Sequence, residues 1–394
     1  MHRLGNAGDI QGRAGKGRGP TLPSAPLFVR PVFASKKRKR CSRGSVRSMS
    51  ADIVAWLAQD GITNGAIYAL LALALLLVFT VTRVIFVPQG EFIAYAALSL
   101  ALMESGRVPG TVYILVAGGV LAAAMEATRA VREHALGRLP RILALYVVLP
   151  IAVAAVVWWA TPRKLDQWAQ ILLVLAMVVP LGPILYRIAY QPLASASVLV
   201  LFIVSMAAHY VLMGLSLILC GGEGLRSRPF SEAQFQLGVL NVSAQSLWVV
   251  AASLVLIAAL WVLFERSIYG KALRATAVNR VGARLVGVPT NLMGQLSFLL
   301  AAFIGAVSGI LISPITTIYY DTGFIIGLKG FVGAILGGMV SYPFAAVGAL
   351  TVGLLESFSS FYASAFKESI VFGLIIPVLV WLSLRSHHVE EEGE

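Results

Sequence analysis

Residues 265–284 read ERSIYGKALRATAVNRVGAR, and this stretch decides the fold because it is a basic island between two long apolar segments. Residues 233–264 before it and residues 285–320 after it carry no charged side chain. A short basic loop between apolar spans lies on the cytoplasmic side of a membrane. The pattern therefore predicts a multi-pass membrane protein with loop 265–289 in the cytoplasm. The charged residues of the island are Glu265, Arg266, Lys271, Arg274, Arg280 and Arg284.

The composition of the whole chain also indicates a membrane protein. Hydrophobic residues make up 58% of the sequence and charged residues only 12%, and the mean hydropathy is +0.83. A helix needs roughly 20 apolar residues to cross the hydrocarbon core, so the long uncharged runs predict transmembrane helices. The expected fold class is an all-α polytopic membrane protein with about 9–11 membrane segments, including broken or re-entrant helices.

The N-terminal segment differs from the rest of the chain. Residues 1–48 contain twelve Lys or Arg and one acid, so they supply most of the net charge of +13. They lack apolar periodicity, which predicts a disordered tail. A nucleic-acid arm or a lipid-binding patch is the alternative, but we expect translation to begin at Met49 and no nucleic-acid partner. The membrane domain is then 49–385, followed by a polar tail at 386–394.

Apolar runs separated by polar joints place the membrane segments. Because consecutive segments alternate sides, loop 126–141 and the C-terminus should lie in the cytoplasm with 265–289, whereas 161–169 and 221–244 should lie outside. The predicted segments are 61–86, 90–106, 111–125, 142–161, 169–187, 193–220, 245–264, 290–313, 324–340, 343–360 and 368–385.

Residues 87–92, Val-Pro-Gln-Gly-Glu-Phe, are predicted to interrupt the helices inside the membrane. Broken backbone at that depth survives only against protein or a water-filled cavity. Glu91 lies at this break, and an intramembrane carboxylate indicates a functional site. The alternative is that Glu91 only stabilises the start of the next helix. We expect His209, in another apolar stretch, to be a packing residue.

Glycine is frequent in the last quarter of the chain. Pairs of small residues four apart let helix backbones approach closely. We therefore predict helix packing at the pairs Gly305 with Gly309 and Gly333 with Gly337.

Motifs for enzymatic chemistry are absent from the sequence. It contains no P-loop, no His-Glu-x-x-His and no Gly-x-Ser-x-Gly. We expect the buried ionisable residues, Glu91, His209, Lys329 and Glu356, to be scattered. No catalytic residue, metal site or cofactor is predicted, and the chain is not expected to be an enzyme.

Three blocks carry a resemblance to a known family. They are Asn64–Leu70 with Gly90–Phe92, Tyr269–Val288, and Gly327–Gly338 with Gly348–Glu356. From Asp60 to Arg385 the chain resembles the permease family of ABC transporters for branched-chain amino acids, specifically the H-type membrane subunit. The resemblance implies a second, M-type permease subunit, two cytoplasmic ATPases and a periplasmic binding protein. It also implies a place in the bacterial inner membrane, in contact with the lipid bilayer.

Two features depart from the family pattern. The sequence Phe86–Gln89 replaces the usual Asn-Phe-Ala-His before Gly-Glu-Phe, and residues 126–170 look like an inserted helical pair. Because of these two departures, the resemblance does not determine the identity of the substrate.

The resemblance indicates candidate functional residues. We expect residues 267–284 to form one short helix that couples the permease to an ATPase, although an ordinary positive loop is the alternative. The coupling candidates are Glu265, Arg266, Tyr269, Gly270, Lys271, Arg274, Arg280 and Gly287. The substrate-path candidates are Asn64, Gln89, Glu91 and Lys329. Lys329 could instead reach an interface or pair with an acid.

The expected function is a membrane permease subunit of an ABC importer for branched-chain or related apolar amino acids. A urea or short-amide permease is the alternative within the same class. An ATP-independent secondary transporter is a further alternative, but it should show paired intramembrane charges or inverted repeats, and neither is evident in the sequence.

Overall fold

A computed structural model describes residues 43–134, 137, 139–163, 165–194, 196–237, 240–339 and 341–390. Contacts divide the chain into a unit of residues 1–46 and a unit of residues 47–394. Of the first unit only residues 43–46 are described, and they are helical. The predicted disorder of residues 1–42 lies outside the described residues, whereas residues 43–48 belong to a described helix.

The described chain is built almost entirely from helices. In the first half they are α1 (Arg43–Thr82), α2 (Gln89–Glu104), α3 (Thr111–Arg132), α4 (Leu139–Leu143), α5 (Leu149–Ala160), α6 (Gln167–Val178), α7 (Leu181–Leu185) and α8 (Val198–Cys220). In the second half they are α9 (Ala244–Arg266), α10 (Ile268–Val278), α11 (Arg280–Leu285), α12 (Thr290–Ile312), α13 (Thr322–Leu336), α14 (Tyr342–Tyr362), α15 (Lys367–Gly373) and α16 (Ile375–Glu390).

Irregular elements join some of these helices. Pro150 lacks the amide hydrogen that would bond to the carbonyl of Tyr146, and the chain widens there into a π-helical turn. Strands β1 (Gln234–Leu237) and β2 (Leu240–Ser243) form an antiparallel hairpin between α8 and α9. The remaining short turns are Ala144–Val148, Thr161–Arg163, Tyr186–Tyr190, Gln191–Leu193 and Ser364–Phe366.

The polytopic fold class is confirmed. Within the described residues, nine helical segments are long and apolar enough to cross a membrane. Two shorter helices, α2 and α13, bring the total to the upper end of the predicted range. Each apolar helix satisfies its own backbone hydrogen bonds, which is the requirement for a segment in lipid.

The short helices α2 and α13 approach each other at their first residues. A Cβ atom at Gly90 would overlap the carbonyl of Gly323, and a Cβ at Gly323 would overlap the carbonyl of Gly90. The two backbones are therefore in direct contact where both helices begin. Helix α12 packs on the same part of α2, since a Cβ at Gly309 would overlap the carbonyl of Ile93 and one at Gly305 would lie 3.0 Å from the Phe92 Cβ.

Helix α13 also contacts α14 through small residues. A Cβ at Gly333 would lie 2.6 Å from the Cβ of Ala349, and a Cβ at Gly337 would overlap the backbone of Ala345. The four glycines that the sequence analysis selected thus stand at close helix approaches, where any side chain would separate the helices.

Candidate functional site

The backbone break predicted near Glu91 lies between α1 and α2. Helix α1 ends at Thr82, Arg83 has a positive φ of 61°, and α2 begins at Gln89. A helix of 16 residues is about 24 Å long, which is less than the roughly 30 Å of hydrocarbon in a bilayer. Every residue of α2 from Gln89 to Met103 is buried. In the non-helical segment 83–88 the first residue is exposed and the other five are buried or partly buried, so protein covers most of it, as the membrane environment requires.

Glu91 forms a buried hydrogen bond with a residue that is distant in sequence. His209 Nδ1, from α8, lies 2.9 Å from Glu91 Oε1, and the two side chains are only 2% and 1% exposed. The ring of His209 stacks on Phe324 at the start of α13, with 4.3 Å between ring centroids. His209 is thus a buried packing residue, as expected, and its hydrogen-bond partner is the acid of the break.

The alternative role for Glu91, stabilising the start of the next helix, stays open, because Glu91 lies in the first turn of α2. It makes no side-chain cap hydrogen bond, and the residue before the helix is Pro88. The carboxylate also contacts α8, where His209 stacks on Phe324 of α13. We call Gln89, Glu91, His209 and Phe324 the Glu91 centre.

Two acceptor atoms of the Glu91 centre have no donor among the described residues. Gln89 donates its Nε2 to the carbonyl of Ala301 at 3.0 Å, but its Oε1 atom is buried without a hydrogen bond. The Oε2 atom of Glu91 is in the same situation. A buried acceptor left unpaired costs about 1–3 kcal/mol, so this site is suited to a ligand that carries hydrogen-bond donors.

A cavity of about 230 Å³ adjoins the Glu91 centre. Its volume exceeds the roughly 30 Å³ that one water occupies in the liquid, so it has room for a small molecule. Gln89 is the one polar side chain among its described lining residues, and Phe324 connects the cavity to His209. Most of the lining is aliphatic or aromatic, including Leu75, Phe86, Phe202, Met206 and Phe331.

A second group of charges lies on α13, α14 and α15, and two of them, Lys329 and Glu356, are buried. Lys329 Nζ is 2.5 Å from Glu356 Oε1 and 3.2 Å from Glu368 Oε1. Lys367 Nζ lies 3.7 Å from Glu356 and 3.5 Å from Glu368. The hydroxyl of Tyr68 donates to Glu356 Oε2 at 2.5 Å. We call these five residues the Lys329 network, and its two cations and two anions balance.

The expectation that the buried ionisable residues are scattered is therefore wrong. Glu91 pairs with His209, and Lys329 pairs with Glu356. The first pair joins helices 118 residues apart in sequence and the second joins the consecutive helices α13 and α14, and no local pattern indicated either. A weaker signal was available in the sequence. A buried carboxylate needs a partner, and His209 is the sole His, Lys, Arg, Asp or Glu in residues 193–220.

The four substrate-path candidates divide between two places. Gln89 and Glu91 belong to the Glu91 centre. Lys329 is the centre of the second network, which matches the alternative that it pairs with an acid. Asn64 Nδ2 donates to Asp60 at 3.4 Å, and Ser357 donates to the same carboxylate oxygen at 3.1 Å. Asn64 therefore lies near Ser357, which follows Glu356 of the Lys329 network. Among the described atoms it makes no hydrogen bond with Gln89 or Glu91.

The island 265–289 forms two helices and not the single helix that we expected. Helix α10 ends at Val278 and α11 begins at Arg280, because Asn279 adopts an extended conformation with φ −147°. The Oδ1 atom of Asn279 accepts the amide hydrogen of Gly282 at 2.8 Å and so caps α11. Polar side chains that compete for backbone hydrogen bonds favour such caps over a helix interior.

Glycines shape the two ends of the island. A Cβ at Gly270 would overlap the carbonyl of Leu263, so glycine lets α10 fold directly against the end of α9. Gly287 has a positive φ of 86°, which glycine adopts without strain where the chain turns toward α12.

The outer side of the island exposes both charged and apolar side chains. Arg274 Nη1 is 2.8 Å from Glu265 Oε1, and both side chains are about half exposed. Four apolar side chains with exposed fractions between 79% and 86% lie beside them, namely Ile268, Val278, Leu285 and Val286. We call residues 265–289 the island surface. Apolar groups this exposed beside charges are typical of a protein-docking site.

Residues 57–380 match the family model described as branched-chain amino acid transport system / permease component. The chain is 25% identical over 352 residues to the Escherichia coli K12 high-affinity branched-chain amino acid transport system permease protein LivH, covering 84% of this chain and 95% of that protein.

Shorter matches extend to other organisms. The chain is 27% identical over 203 residues to the Pseudomonas aeruginosa permease protein BraD, covering 50% of this chain and 66% of that protein. It is also 27% identical over 204 residues to a probable LivH of Methanocaldococcus jannaschii, covering 50% and 65%.

Proposed function

The chain belongs to the family of permease components of branched-chain amino acid transport systems, and on this premise we propose that the Glu91 centre and its cavity form part of the substrate path. The protein is a multi-pass membrane protein and a permease subunit of an ABC importer. Such permeases work with ATPase and binding-protein partners. The family is a transport family and not an enzyme family.

The observation that carries the proposed path is the pairing of an apolar cavity with unsatisfied acceptors in the membrane interior. An apolar amino acid needs a mostly apolar conduit with a few polar groups that orient it. The ammonium group of the substrate has three hydrogen-bond donors, which suit acceptors such as Gln89 Oε1 and Glu91 Oε2. In this proposal Asn64 and Lys329 stabilise the packing around α13 and α14, and they do not contact the substrate.

The orientation and the finer partner assignments also belong to this proposal. The protein lies in the bacterial inner membrane with the island surface and the C-terminus in the cytoplasm, because the island is the most basic loop between apolar spans. Its permease partner is an M-type subunit, and the substrate is delivered by a periplasmic binding protein. Residues 126–170 are an added helical pair that leaves the orientation of the other helices unchanged.

Uptake by the reconstituted transporter tests the path. Glu91→Gln keeps the side-chain volume and the hydrogen bond from His209 but removes the charge. We expect it to lower ATP-dependent leucine uptake by about tenfold or more while the amount of folded protein stays unchanged. Glu104→Gln, at the other end of α2, is the matched control and should keep uptake within about twofold.

The same assay separates the alternative substrates and mechanisms. Uptake of urea in place of leucine would favour the short-amide permease. The sequence argument against a secondary transporter relied on missing intramembrane charge pairs, but Lys329 and Glu356 form one such pair among the described residues, so that argument no longer holds. Leucine uptake driven by a proton gradient without ATP would contradict the ABC mechanism. A Glu91→Gln variant with full uptake would contradict the proposed path.

The island surface is the proposed contact with the ATPase. Arg274→Glu places a second acid beside Glu265 and reverses one exposed charge, which costs the fold at most about 1 kcal/mol. We expect this variant to retain several-fold less ATPase on co-purification and to lose substrate-stimulated ATP hydrolysis.

A matched charge reversal controls for membrane orientation. Arg132→Glu makes the same change in the other basic loop, at the end of α3, and should retain the ATPase normally. Equal losses in both variants would indicate a general effect of positive charge and would contradict a specific coupling surface.

A further inference from the structure

A polar pocket lies where α11 meets the ends of other membrane helices, away from the proposed path. Its volume is about 640 Å³, and its described lining includes Arg129 from α3 and Arg280 and Arg284 from α11. The other polar lining residues are Gln191, from the turn after α7, Asn291, at the start of α12, and Glu133, just after α3. We call these six residues the arginine pocket.

Much of the donor capacity of the three arginines is left for a ligand. Arg129 bonds to Glu126 at 3.1 Å, Arg280 Nη1 donates to the carbonyl of Ala194 at 3.1 Å, and Arg284 Nε donates to Thr290 Oγ1 at 3.0 Å. A guanidinium group has five N–H donors in a rigid fork. These bonds hold each arginine in place and leave further N–H groups for an acceptor.

The charge of the pocket is unbalanced. Arg129 is paired with Glu126, which leaves Arg280 and Arg284 with a single lining carboxylate, that of Glu133. Arg280 and Arg284 are four residues apart on α11, so they lie on the same helix face and repel each other. Among the described residues neither of these two arginines forms an ion pair with a carboxylate. An anion in the pocket would offset this repulsion.

The location of the pocket indicates the source of the anion. Its walls are the ends of membrane helices on the side that carries the island. With the orientation proposed above, on which this inference rests, that side faces the lipid headgroups of the cytoplasmic leaflet. Guanidinium forks match the geometry of phosphate oxygens. Basic pockets between transmembrane helices on the cytoplasmic side bind anionic headgroups.

We propose that the arginine pocket binds the phosphate of an anionic phospholipid headgroup and thereby fixes α11 against the membrane. Since α11 is part of the island surface, a bound lipid would hold the second half of that surface in one position. Lipid binding needs neither substrate nor ATP, so its failure can be distinguished from failure of the proposed transport function.

Lipid retention by the purified full-length protein tests this site. The variant Arg280→Gln with Arg284→Gln removes two charges from the pocket. The matched control, Lys271→Gln with Arg274→Gln, removes two charges from the same surface outside the pocket. After incorporation into vesicles of phosphatidylcholine mixed with phosphatidylglycerol, native mass spectrometry counts the retained lipids. We expect about tenfold less bound phosphatidylglycerol in the pocket variant and wild-type retention in the control.

A conservative variant tests whether the guanidinium fork matters as well as its charge. Arg280→Lys with Arg284→Lys keeps the charge but loses the fork, and should retain an intermediate amount of lipid. Equal retention in all variants would overturn the proposal, as would equal loss in the pocket variant and the control.

Inorganic phosphate distinguishes the two sources of the phosphate group. It is added to the wild type in phosphatidylcholine vesicles and the melting temperature is measured. Stabilisation by phosphate without any preference for phosphatidylglycerol over phosphatidylcholine would overturn the lipid assignment and indicate a soluble phosphate compound.

Discussion

The substitution Glu356→Leu is expected to destabilise the protein by about 3 kcal/mol, because it leaves two cations of the Lys329 network with one acid. Lys329 is 5% exposed and lies 2.5 Å from Glu356. After the substitution, Glu368 is the one acid within reach of both Lys329 and Lys367, and it is partly exposed. A buried cation without full compensation is strongly unfavourable in a membrane interior.

A double variant separates the charge effect from the loss of packing. Replacing Lys329 with Met together with Glu356→Leu removes one charge of each sign and leaves Lys367 beside Glu368 at 3.5 Å. Since apolar residues often replace a buried ion pair at little cost, the double variant should recover most of the stability. Thermal unfolding of the purified protein in detergent measures both variants.

An exposed acid is the matched control for this experiment. Glu232→Leu, in the connection before β1, should change the stability by no more than about 0.5 kcal/mol. A double variant as unstable as Glu356→Leu alone would show that packing, and not the unpaired charge, explains the loss.

The substitution Gly90→Ala is expected to prevent α2 and α13 from meeting, with a cost of about 3 kcal/mol or more. The added methyl group would overlap the carbonyl of Gly323 and lie 3.1 Å from the amide of Phe324. Both are backbone atoms that cannot rotate away, so one of the two short helices must move. This displacement would also separate Phe324 from His209 and disturb the Glu91 centre.

A glycine with free space around it provides the matched control. Gly214 lies within α8, and a Cβ there would have no heavy atom within 4 Å. Gly214→Ala should be neutral or stabilising by up to about 1 kcal/mol, because alanine favours the helix. Size-exclusion chromatography and leucine uptake compare the two variants. Equal yield and uptake for both would contradict the close approach of α2 and α13.

Much of the fold could be predicted because membrane helices are encoded locally. A span needs about 20 apolar residues wherever it lies in the chain, so hydropathy alone located the helices and the polar joints between them. The predicted segment 290–313 corresponds to α12, and 343–360 corresponds to α14, within two residues at each end. The break before Glu91 was visible because proline and glycine interrupt an apolar run.

Details within the polar island were harder to predict. The composition of residues 267–284 favours helix throughout, yet Asn279 divides the segment into α10 and α11. A side chain that caps the second helix outweighed the propensity of its neighbours. The break also determines that Arg280 and Arg284 belong to α11 and line the arginine pocket.

The amino-acid sequence by itself determined the class of protein, the approximate position of most membrane segments and the presence of a charged residue at a helix break. Only the tertiary structure decided the partners of the buried charges. Glu91 and His209 are 118 residues apart, and Lys329 and Glu356 are 27 apart on different helices. Apolar helices of similar composition offer no local signal of which ones become neighbours. Burial nevertheless forces each charge to find a partner, and that requirement is met only when the helices pack.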